Sequence, residues 1–441
     1  MRISVIGCGY LGAVHAACMA ELGHDVVGID IDAGKVASLS RGVAPFHEPG
    51  FDEVLERNVD AGRLRFSTDF ADLADAQVHF IGVGTPQVEN GYAADLTYVD
   101  AAIDSLVPHL GPHPDGPVLV VGKSTVPVGT AARLAEKVTP TGAHLVWNPE
   151  FLREGFAVQD TVSPDRIVYG LPGDPAAAEE SRTVLDEVYT HLIHEQSIPR
   201  LTTDYATAEL VKVAANSFLA TKISFINAMA ELCEATGADV TQLAEAIGHD
   251  DRIGSKFLRA GIGFGGGCLP KDIRAFMARA GELGVDQALT FLREVDSIND
   301  RRREHTVHLA RTAVGGNLTG KRVAVLGAAF KPDSDDMRNS PALDIANTIA
   351  GAGAEVTITD PAAGRILARQ RPDMTIAEDA YAASADADVV LLLTEWKQFK
   401  ELDPARLKDA VANAWIIDGR NALDPATWRE AGWTYTGIGR P

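Results

Sequence analysis

A cysteine at the end of a glycine-rich stretch is the residue best suited to covalent chemistry. Residues 261–268 read Gly-Ile-Gly-Phe-Gly-Gly-Gly-Cys, and Pro270 follows shortly after. Because proline suits the first helical position, the pattern predicts Cys268 just before a helix N-terminus, where unpaired amides and the helix dipole favour a thiolate. Asp272 should lie on the same side of that helix. A glycine-rich loop with a buried, inert cysteine explains the same residues, so Cys268 is a candidate nucleophile.

A second candidate site lies at the amino terminus. A strand pattern at 3–6 leads into a glycine turn, Gly-Cys-Gly-Tyr-Leu-Gly at 7–12, then a helical pattern at 13–22 and a strand that ends at Asp30. This order is typical of a dinucleotide site, in which the helix N-terminus faces the pyrophosphate. An acid at the end of the second strand binds a ribose hydroxyl pair and repels a 2′-phosphate. The pattern therefore predicts NAD rather than NADP.

Polar side chains follow three further strand patterns, at 77–83, 117–122 and 145–147. Ligands in open α/β sheets lie beyond the carboxyl ends of the strands, so Thr125, Glu150 and Glu154 should approach the cofactor and substrate. Capping of a helix by the threonine and a solvated surface position for each glutamate are the alternatives.

The middle of the chain predicts one long helix. Residues from Thr203 to about Thr236 keep helical spacing of apolar side chains and contain no proline or glycine before residue 237. A helix of this length suggests a spine between domains or a dimer interface. Glu209, Lys212 and Asn216 share one face, where a substrate oxygen could satisfy the lysine and the asparagine. Further helices are predicted at about 240–247, 273–283 and 289–312.

A third unit begins near residue 321. Strand patterns at 322–327 and 354–360 echo the first two strands, but Gly327 is not followed by the other glycines of the dinucleotide fingerprint. A different ligand is therefore expected. The loop at 330–340 is long enough to bind it, and Lys331 and Arg420 are candidate phosphate contacts.

Charge and cysteine usage limit the possible functions. The 441 residues carry 61 acidic and 40 basic side chains, a formal net charge of −21, which argues against binding to nucleic acid or an anionic membrane. Four cysteines without metal-site spacing indicate a reducing compartment and no metal centre. No signal peptide or membrane-spanning run is apparent, so a cytoplasmic location is expected.

The predicted fold class is α/β, with two Rossmann-like doubly wound domains joined by a long central helix and a helical domain. The boundaries are 1–198 for the NAD-binding domain, 199–313 for the central helical domain with Cys268, and 314–441 for a second Rossmann-like domain that binds a different ligand.

The motifs together resemble the UDP-glucose/GDP-mannose dehydrogenase family over essentially the whole chain. The matching segments are Gly7-x-Gly-Tyr-x-Gly12, Ser124-Thr-Val-Pro127, Asn148-Pro-Glu-Phe151, Lys212-x-x-x-Asn216, Glu231-Leu-Cys-Glu234, Arg252-Ile-Gly254, Gly263-Phe-Gly-Gly-Gly-Cys268, Lys271-Asp272, Phe330-Lys331 and Asp418-Gly-Arg420. So many motifs in the family's order are far more specific than any one of them.

The resemblance implies a four-electron oxidation of UDP-glucose to UDP-glucuronate by two NAD⁺. Cys268 would trap the intermediate aldehyde as a thiohemiacetal, and a thioester would then be hydrolysed. By the same resemblance Lys212 and Asn216 stabilise oxyanions, while Asp272 and Thr125 organise proton transfer. Glu150 is a candidate general base, chiefly for the thioester step.

The resemblance also implies binding residues. Those for the cofactor are Gly7, Gly9, Tyr10, Leu11, Gly12, Asp30, Lys35, Thr85, Pro86, Ser124, Thr125, Glu154, Lys271 and Arg338. Those for the sugar nucleotide are Phe151, Leu152, Glu154, Lys212, Asn216, Arg252, Phe257, Leu258, Gly265, Phe330, Lys331 and Arg420. Arg252 is supplied across the subunit interface in the family, which predicts a homodimer through the long helix.

Two departures and two competing functions accompany this interpretation. Gly267 stands where many relatives carry serine, and Leu269 replaces a common phenylalanine, so GDP-mannose, a UDP-N-acetylhexosamine or a dTDP-sugar are alternative substrates. A two-electron hydroxyacid dehydrogenase of the 6-phosphogluconate type would explain Lys212 and Asn216 but leaves Cys268 without a role. An NAD-responsive binding protein would show no turnover.

Overall fold

The apolar runs of the chain form the strands of two doubly wound sheets in the computed structural model, which describes all residues from Met1 to Pro441. Eight strands form the first sheet, in the order β3-β2-β1-β4-β5-β6-β7-β8, and only the β6–β7 pair is antiparallel. Their bounds are β1 Arg2–Ile6, β2 Asp25–Ile29, β3 Leu64–Ser67, β4 Val78–Ile81, β5 Leu119–Gly122, β6 His144–Trp147, β7 Ile167–Leu171 and β8 Arg200–Asp204.

Six parallel strands form the second sheet, in the order β11-β10-β9-β12-β13-β14. Their bounds are β9 Arg322–Leu326, β10 Glu355–Thr359, β11 Thr375–Ile376, β12 Val389–Leu392, β13 Trp415–Asp418 and β14 Thr434–Gly437. The strand order reverses between β1 and β4 in the first sheet and between β9 and β12 in the second. Such switch points open a crevice at the carboxyl ends of the strands.

Seventeen α-helices connect and flank these strands. They are α1 Tyr10–Glu21, α2 Ala33–Leu39, α3 Phe51–Asp60, α4 Thr97–Leu106, α5 Thr130–Val138, α6 Ala157–Val162, α7 Pro175–Val188, α8 Tyr205–Thr236, α9 Val240–Gly248, α10 Leu269–Glu282, α11 Thr290–Ala313, α12 Pro341–Gly351, α13 Gly364–Gln370, α14 Ala380–Ala383, α15 Lys397–Lys400, α16 Pro404–Lys408 and α17 Pro425–Glu430. None of them combines the length and the apolar character needed to cross a bilayer.

The long central helix is confirmed as α8, with 32 residues. It begins two residues later than predicted, because Thr203 still pairs with Gly170 in the outer strands of the first sheet. Helix α10 begins at Leu269, so Pro270 occupies its second rather than its first position. Proline is tolerated at either position, since neither backbone amide has an acceptor within the helix.

The chain divides into two compact units, each with its own apolar cores. The first comprises Met1–Ala215 with Arg274–Gly284, and the second comprises Asn216–Ile273 with Val285–Pro441. The two faces of the first sheet are covered by separate clusters. The second sheet has one large cluster, and a smaller one packs on α8 and α9. The α/β class with two doubly wound sheets is confirmed.

Candidate active site

The amino-terminal glycine turn has the geometry of a dinucleotide site. A side chain at Gly12 would begin 1.8 Å from the carbonyl oxygen of Gly7, so only glycine allows α1 to pack this closely on β1. Beside Gly9, by contrast, no atom lies within 4 Å of the place where a side chain would begin. Helix α1 starts at Tyr10 without a side-chain cap. Its first amides therefore face a space that suits a pyrophosphate.

Asp30 holds the turn from the end of β2. Its carboxylate accepts from the backbone nitrogens of Cys8 at 2.8 Å and Asp32 at 3.0 Å, and from Lys35 Nζ at 2.8 Å. The side chain is 8% exposed. A carboxylate fixed at this edge suits a ribose hydroxyl pair and disfavours a 2′-phosphate, so the residues present fit NAD.

A buried glutamate that sequence reasoning missed joins the glycine turn to the segment that carries Glu154. The Glu48 carboxylate accepts hydrogen bonds from the backbone nitrogens of Gly155 at 2.6 Å and Ala157 at 2.7 Å. It also accepts a hydrogen bond from the Tyr10 hydroxyl. It therefore supplies the N-terminal amides of α6 with an acceptor. Glu48 stands in a loop with no motif around it, so the sequence alone offered no signal for this role.

The loops after β4 and β5 are held together by hydroxyl groups. Ser124 Oγ donates to the carbonyl oxygen of Val83 at 2.6 Å, and Thr85 Oγ1 donates to that of Thr125 at 2.8 Å. Glu209 of α8, predicted to share a face with Lys212, accepts from the backbone nitrogen of Gly129 at 2.7 Å. Burial raises the pKa of Glu209. These contacts fix the Thr125 loop against the start of α8.

Glu150 and Lys212 form a buried ion pair. Lys212 Nζ lies 2.9 Å from Glu150 Oε1, and the two side chains are 6% and 11% exposed. The other carboxylate oxygen accepts from the backbone nitrogen of Leu152 at 2.7 Å. Lys212 Nζ also lies 5.7 Å from the centre of the Phe151 ring. Glu150 is thus held at a fixed place at the end of β6, as a base or charge-stabilising group requires.

A second cluster surrounds the start of α10. The backbone nitrogen of Asp272 donates to the Cys268 carbonyl at 3.0 Å, so Cys268 stands at the N-cap as predicted. The Asp272 carboxylate, 2% exposed, accepts from Asn216 Nδ2 and Lys271 Nζ, both at 2.6 Å. Asp272 therefore fixes Asn216 of α8 relative to the first turn of α10.

Cys268 is the only exposed cysteine of the four. Burial raises the pKa of the Cys8 thiol and raises that of Cys18 to about 12. A thiolate is needed for nucleophilic attack, so Cys8 and Cys18 are unsuited to it. Because Cys268 is exposed, the alternative of a buried structural cysteine at this position is wrong.

Other parts of the protein pack closely against the glycines before Cys268. A side chain at Gly265 would begin 2.3 Å from the carbonyl oxygen of Asn339, and one at Gly266 would begin 2.8 Å from the Phe330 ring. At Gly267 it would lie 2.4 Å from Arg338 Cζ, so this departure from the family pattern is matched by the position of the arginine. The loop is thus packed tightly against the segment that follows β9.

Arg420 connects three loops through hydrogen bonds. Its guanidinium donates to the carbonyl oxygens of Leu393 at 2.8 Å, Gly263 at 3.0 Å and Phe330 at 3.1 Å. These contacts fix the glycine loop to the ends of β9 and β12. Its predicted role as a phosphate contact remains a prediction.

The second sheet lacks a vacant dinucleotide turn. Asp360, at the end of β10, accepts from the backbone nitrogens of Ala328 at 2.8 Å and Ala329 at 3.0 Å, and from Trp396 Nε1 at 3.1 Å. A side chain at Gly327 would begin 2.4 Å from Thr394. The buried indole occupies the position beside this acid, which agrees with the expectation of a different ligand.

The predicted site residues separate into two groups. The first unit holds the glycine turn at 7–12 and Asp30, Lys35, Thr85, Pro86, Ser124, Thr125, Glu150, Phe151, Leu152, Glu154 and Lys212. The second holds Asn216, Arg252, Phe257, Leu258, Gly265, Cys268, Lys271, Asp272, Phe330, Lys331, Arg338 and Arg420. Helix α8 carries one member of each group, Lys212 and Asn216, one turn apart. No group of three or more His, Cys, Asp or Glu side chains is arranged to hold a metal ion.

Three family models match successive segments of the chain. They describe the NAD binding domain, the central domain and the UDP binding domain of the UDP-glucose/GDP-mannose dehydrogenase family, and they match residues 1–193, 206–301 and 324–425.

Individual relatives agree over the full length. A UDP-glucose 6-dehydrogenase of Rhizobium meliloti (strain 1021) is 42% identical over 446 residues, with both chains covered completely. A UDP-glucose dehydrogenase structure from Pyrobaculum islandicum is 37% identical, with a TM-score of 0.89 and coverage of 100% of this chain and 98% of the other. A UDP-D-ManNAc dehydrogenase structure from Pyrococcus horikoshii is 27% identical, with a TM-score of 0.85 and coverage of 100% and 99%. With a fingerprint turn that fits NAD and an exposed cysteine at a helix N-terminus, the chain belongs to the UDP-glucose/GDP-mannose dehydrogenase family of NAD-dependent enzymes.

Proposed function

We propose that the chain oxidises the C6 alcohol of UDP-glucose to the carboxylate of UDP-glucuronate, with two NAD⁺ reduced per sugar. The observation that carries this proposal is the exposed Cys268 at the N-cap of α10, next to the bonded pair Asp272 and Asn216. A dehydrogenase that stops at the aldehyde has no need of a nucleophile. One that continues to the acid gains from a covalent intermediate.

Bound NAD accepts the two hydrides, one for each molecule of cofactor. The first oxidation leaves an aldehyde at C6 and releases the hydroxyl proton. The Cys268 thiolate adds to the aldehyde carbon, which forms a C–S bond and, after protonation, a thiohemiacetal. The second oxidation converts it to a thioester. Water then adds to the thioester carbonyl, the C–S bond breaks, and the carboxylate and the thiol are released.

The charged residues suit these steps. Lys212 and Asn216 donate to the oxygen that gains negative charge at each stage, and preorganised donors of this kind are effective because they need no rearrangement. Glu150, paired with Lys212, acts as the base for the water that attacks the thioester. Asp272 and Thr125 organise proton transfer.

Substrate binding is assigned to the remaining predicted contacts. Lys331 and Arg420 bring positive charge to a chain of net charge −21, which a diphosphate requires. The glycine loop and the Phe257–Leu258 segment complete the sugar-nucleotide site. A UDP-N-acetylhexosamine is the second candidate substrate, because the Pyrococcus horikoshii structure is named for such a sugar nucleotide.

Counting the reduced cofactor tests the function directly. We expect two NADH for each UDP-glucose consumed, because the thioester route carries the substrate past the aldehyde. The measurement is absorbance at limiting substrate, with the acid quantified by chromatography and UDP-N-acetylhexosamines, GDP-mannose and dTDP-glucose tested in parallel. One NADH per sugar would point to a simple dehydrogenase, and none with any sugar to a binding protein.

We also propose a homodimer through α8. Phe218, Phe225 and Leu232 repeat at seven-residue intervals and are all exposed, so they form an apolar stripe on one face of the helix. Arg252, 88% exposed at its side chain and bonded to Asp250, is placed at the surface as a residue given to a partner's site would be. The three domains predicted at 1–198, 199–313 and 314–441 also remain a proposal, supported by the three family segments. A cytoplasmic location remains a proposal too, supported by four sparse cysteines without metal-site spacing.

Replacing Phe225 by glutamate should convert the dimer to a monomer, because a charge in the middle of an apolar interface remains unpaired and desolvated. Analytical ultracentrifugation measures the change. Tyr98→Glu is the matched control, since Tyr98 on α4 is 53% exposed against 48% for Phe225 but lies outside the stripe. A Phe225 variant that stays dimeric would refute the assignment of this face.

A further inference from the structure

Lys123 is a buried, positively charged residue that has no role in the reaction proposed above. It follows β5 directly and is 7% exposed. Its Nζ donates to Asn148 Oδ1 at 2.9 Å and to the Tyr189 hydroxyl at 3.4 Å, and it lies 5.5 Å from the centre of the Phe80 ring. Removing an ammonium group from water costs several kcal/mol, so neutral side chains would satisfy these partners at a lower cost. The charge itself therefore calls for an explanation.

The contacts of Lys123 converge on the turn that carries Glu150. Asn148 Oδ1 also accepts from the Tyr189 hydroxyl at 2.7 Å, and Asn148 Nδ2 donates to the Val168 carbonyl at 2.8 Å. The Asn148 backbone nitrogen donates to the carbonyl oxygen of Gly122 at 2.8 Å. With its amide group and backbone fixed in this way, Asn148 sets the direction in which Pro149 and Glu150 leave the sheet.

Lys123 and Glu150 also face a common cavity of about 50 Å³. Its other polar lining residues are His15, Asn148, Asp160, Thr161, Arg166 and Tyr189. His15 Nε2 has no hydrogen-bond partner, so the cavity offers both space and unsatisfied polar groups to a small number of water molecules. A cation on one wall and a carboxylate on another attract each other across a medium less polar than bulk water.

We infer that Lys123 is a positioning residue for Glu150, which fixes the Asn148–Glu150 turn and places a positive charge opposite the carboxylate during thioester hydrolysis. The inference rests on the proposed function, because the role of Glu150 as a base belongs to it. Lys123 does not touch the reacting atoms and acts only through Glu150.

The charged groups around the pair determine the direction of the effect. Burial lowers the pKa of Lys123 to about 8, Glu150 raises it and Lys212 lowers it, so the ammonium form prevails below about pH 7. Glu150 is contacted by Lys212 from α8 and shares its cavity with Lys123 after β5 and Arg166 before β7. Burial and the nearby Lys123 lower the pKa of His15 on α1, so the His15 imidazole is neutral. Asp160 on α6 is paired with Arg153. Loss of Lys123 therefore removes a positive charge that faces the same cavity as the Glu150 carboxylate.

The test compares Lys123→Met with the parent enzyme in the pH profile of acid formation. We expect the acidic limb to move to higher pH by about one unit, the lower end of the effect of a nearby opposite charge. On the acidic limb acid formation should fall by about tenfold, and the Cys268 thioester should accumulate in acid-quenched enzyme, detected by mass spectrometry. Tyr189→Phe is the control: it removes a bond to Asn148 but keeps the ammonium group, and its acidic limb should stay in place.

A double-variant cycle separates this role from a structural one. In the Glu150→Gln background, Lys123→Met should have no further effect on the rate of thioester hydrolysis. If the two substitutions slow hydrolysis independently, the inference is overturned. It is also overturned if folded Lys123→Met keeps the acidic limb of the parent enzyme. Lys123→Gln replaces the methionine variant if that one does not fold. If neither variant folds, Lys123→Arg is tested, because it keeps the positive charge but changes the shape of the side chain. It should keep the acidic limb of the parent enzyme and slow thioester hydrolysis. An unchanged rate of hydrolysis would contradict the positioning role. Failure of the parent enzyme to form two NADH per sugar would instead refute the proposed function.

Discussion

Replacing Cys268 by serine should abolish formation of the carboxylate product while NAD binding persists. Serine lacks a thiolate, and the helix N-terminus that stabilises a sulfur anion does not ionise a hydroxyl group near neutral pH. The loss of a covalent nucleophile lowers turnover by about 10⁴-fold to 10⁶-fold in comparable enzymes. NAD binding should persist because the substitution leaves the glycine turn at 7–12 and Asp30 unchanged.

The measurement combines chromatography of the sugar product with NAD titration followed by fluorescence. Cys233→Ser is the matched control, since Cys233 lies on α8 in the same unit as Cys268 and is buried. That variant should form acid at the normal rate if it folds. Normal acid formation by Cys268→Ser would eliminate the covalent route and leave oxidation of the aldehyde hydrate in its place.

Replacing Glu150 by glutamine should arrest the enzyme at the thioester. The amide keeps the shape of the side chain and an oxygen for Lys212, but it cannot accept a proton from the attacking water. A general base contributes about 10²-fold to 10⁴-fold, so hydrolysis should slow by that amount. Glutamine is preferable to alanine, because alanine would remove one partner of the buried ion pair with Lys212, at a cost of about 3–5 kcal/mol of stability.

The thioester can be detected in two ways. Acid-quenched enzyme should carry the added mass on the peptide that contains Cys268, and pre-steady-state absorbance should show a burst of two NADH per active site. Glu136→Gln, an exposed position on α5 in the same unit, should hydrolyse the thioester at the parent rate. Steady turnover by Glu150→Gln without accumulated thioester would show that another group activates the water.

The elements that position the site could be predicted because their signals are local. A buried parallel strand is a short apolar run, and polar residues after it lie at the edge where ligands bind, which places Thr125 and Glu150. Cys268 stands at an N-cap because proline and the helical pattern follow it. The uninterrupted apolar spacing of α8 allowed its length to be predicted within two residues.

The contacts that hold the site could not be predicted because they join residues far apart in sequence. Glu48 supports a helix start 109 residues away, and Lys123 reaches Asn148 and Tyr189 from the end of another strand. Arg420 suggested a phosphate contact by its charge, yet three of its donors meet carbonyl oxygens. A single sequence shows that a buried charge needs a partner but not which one.

The indole of Trp396 beside Asp360 has a consequence for the order of events. With that position filled, the only vacant fingerprint turn of the chain is the one at 7–12, so the two cofactor molecules of one catalytic cycle must use it in succession. The half-oxidised sugar has to stay in place while the first leaves and the second enters. The proposed covalent bond to Cys268 would provide that retention, whereas an aldehyde held only by weak contacts would be free to escape during the exchange.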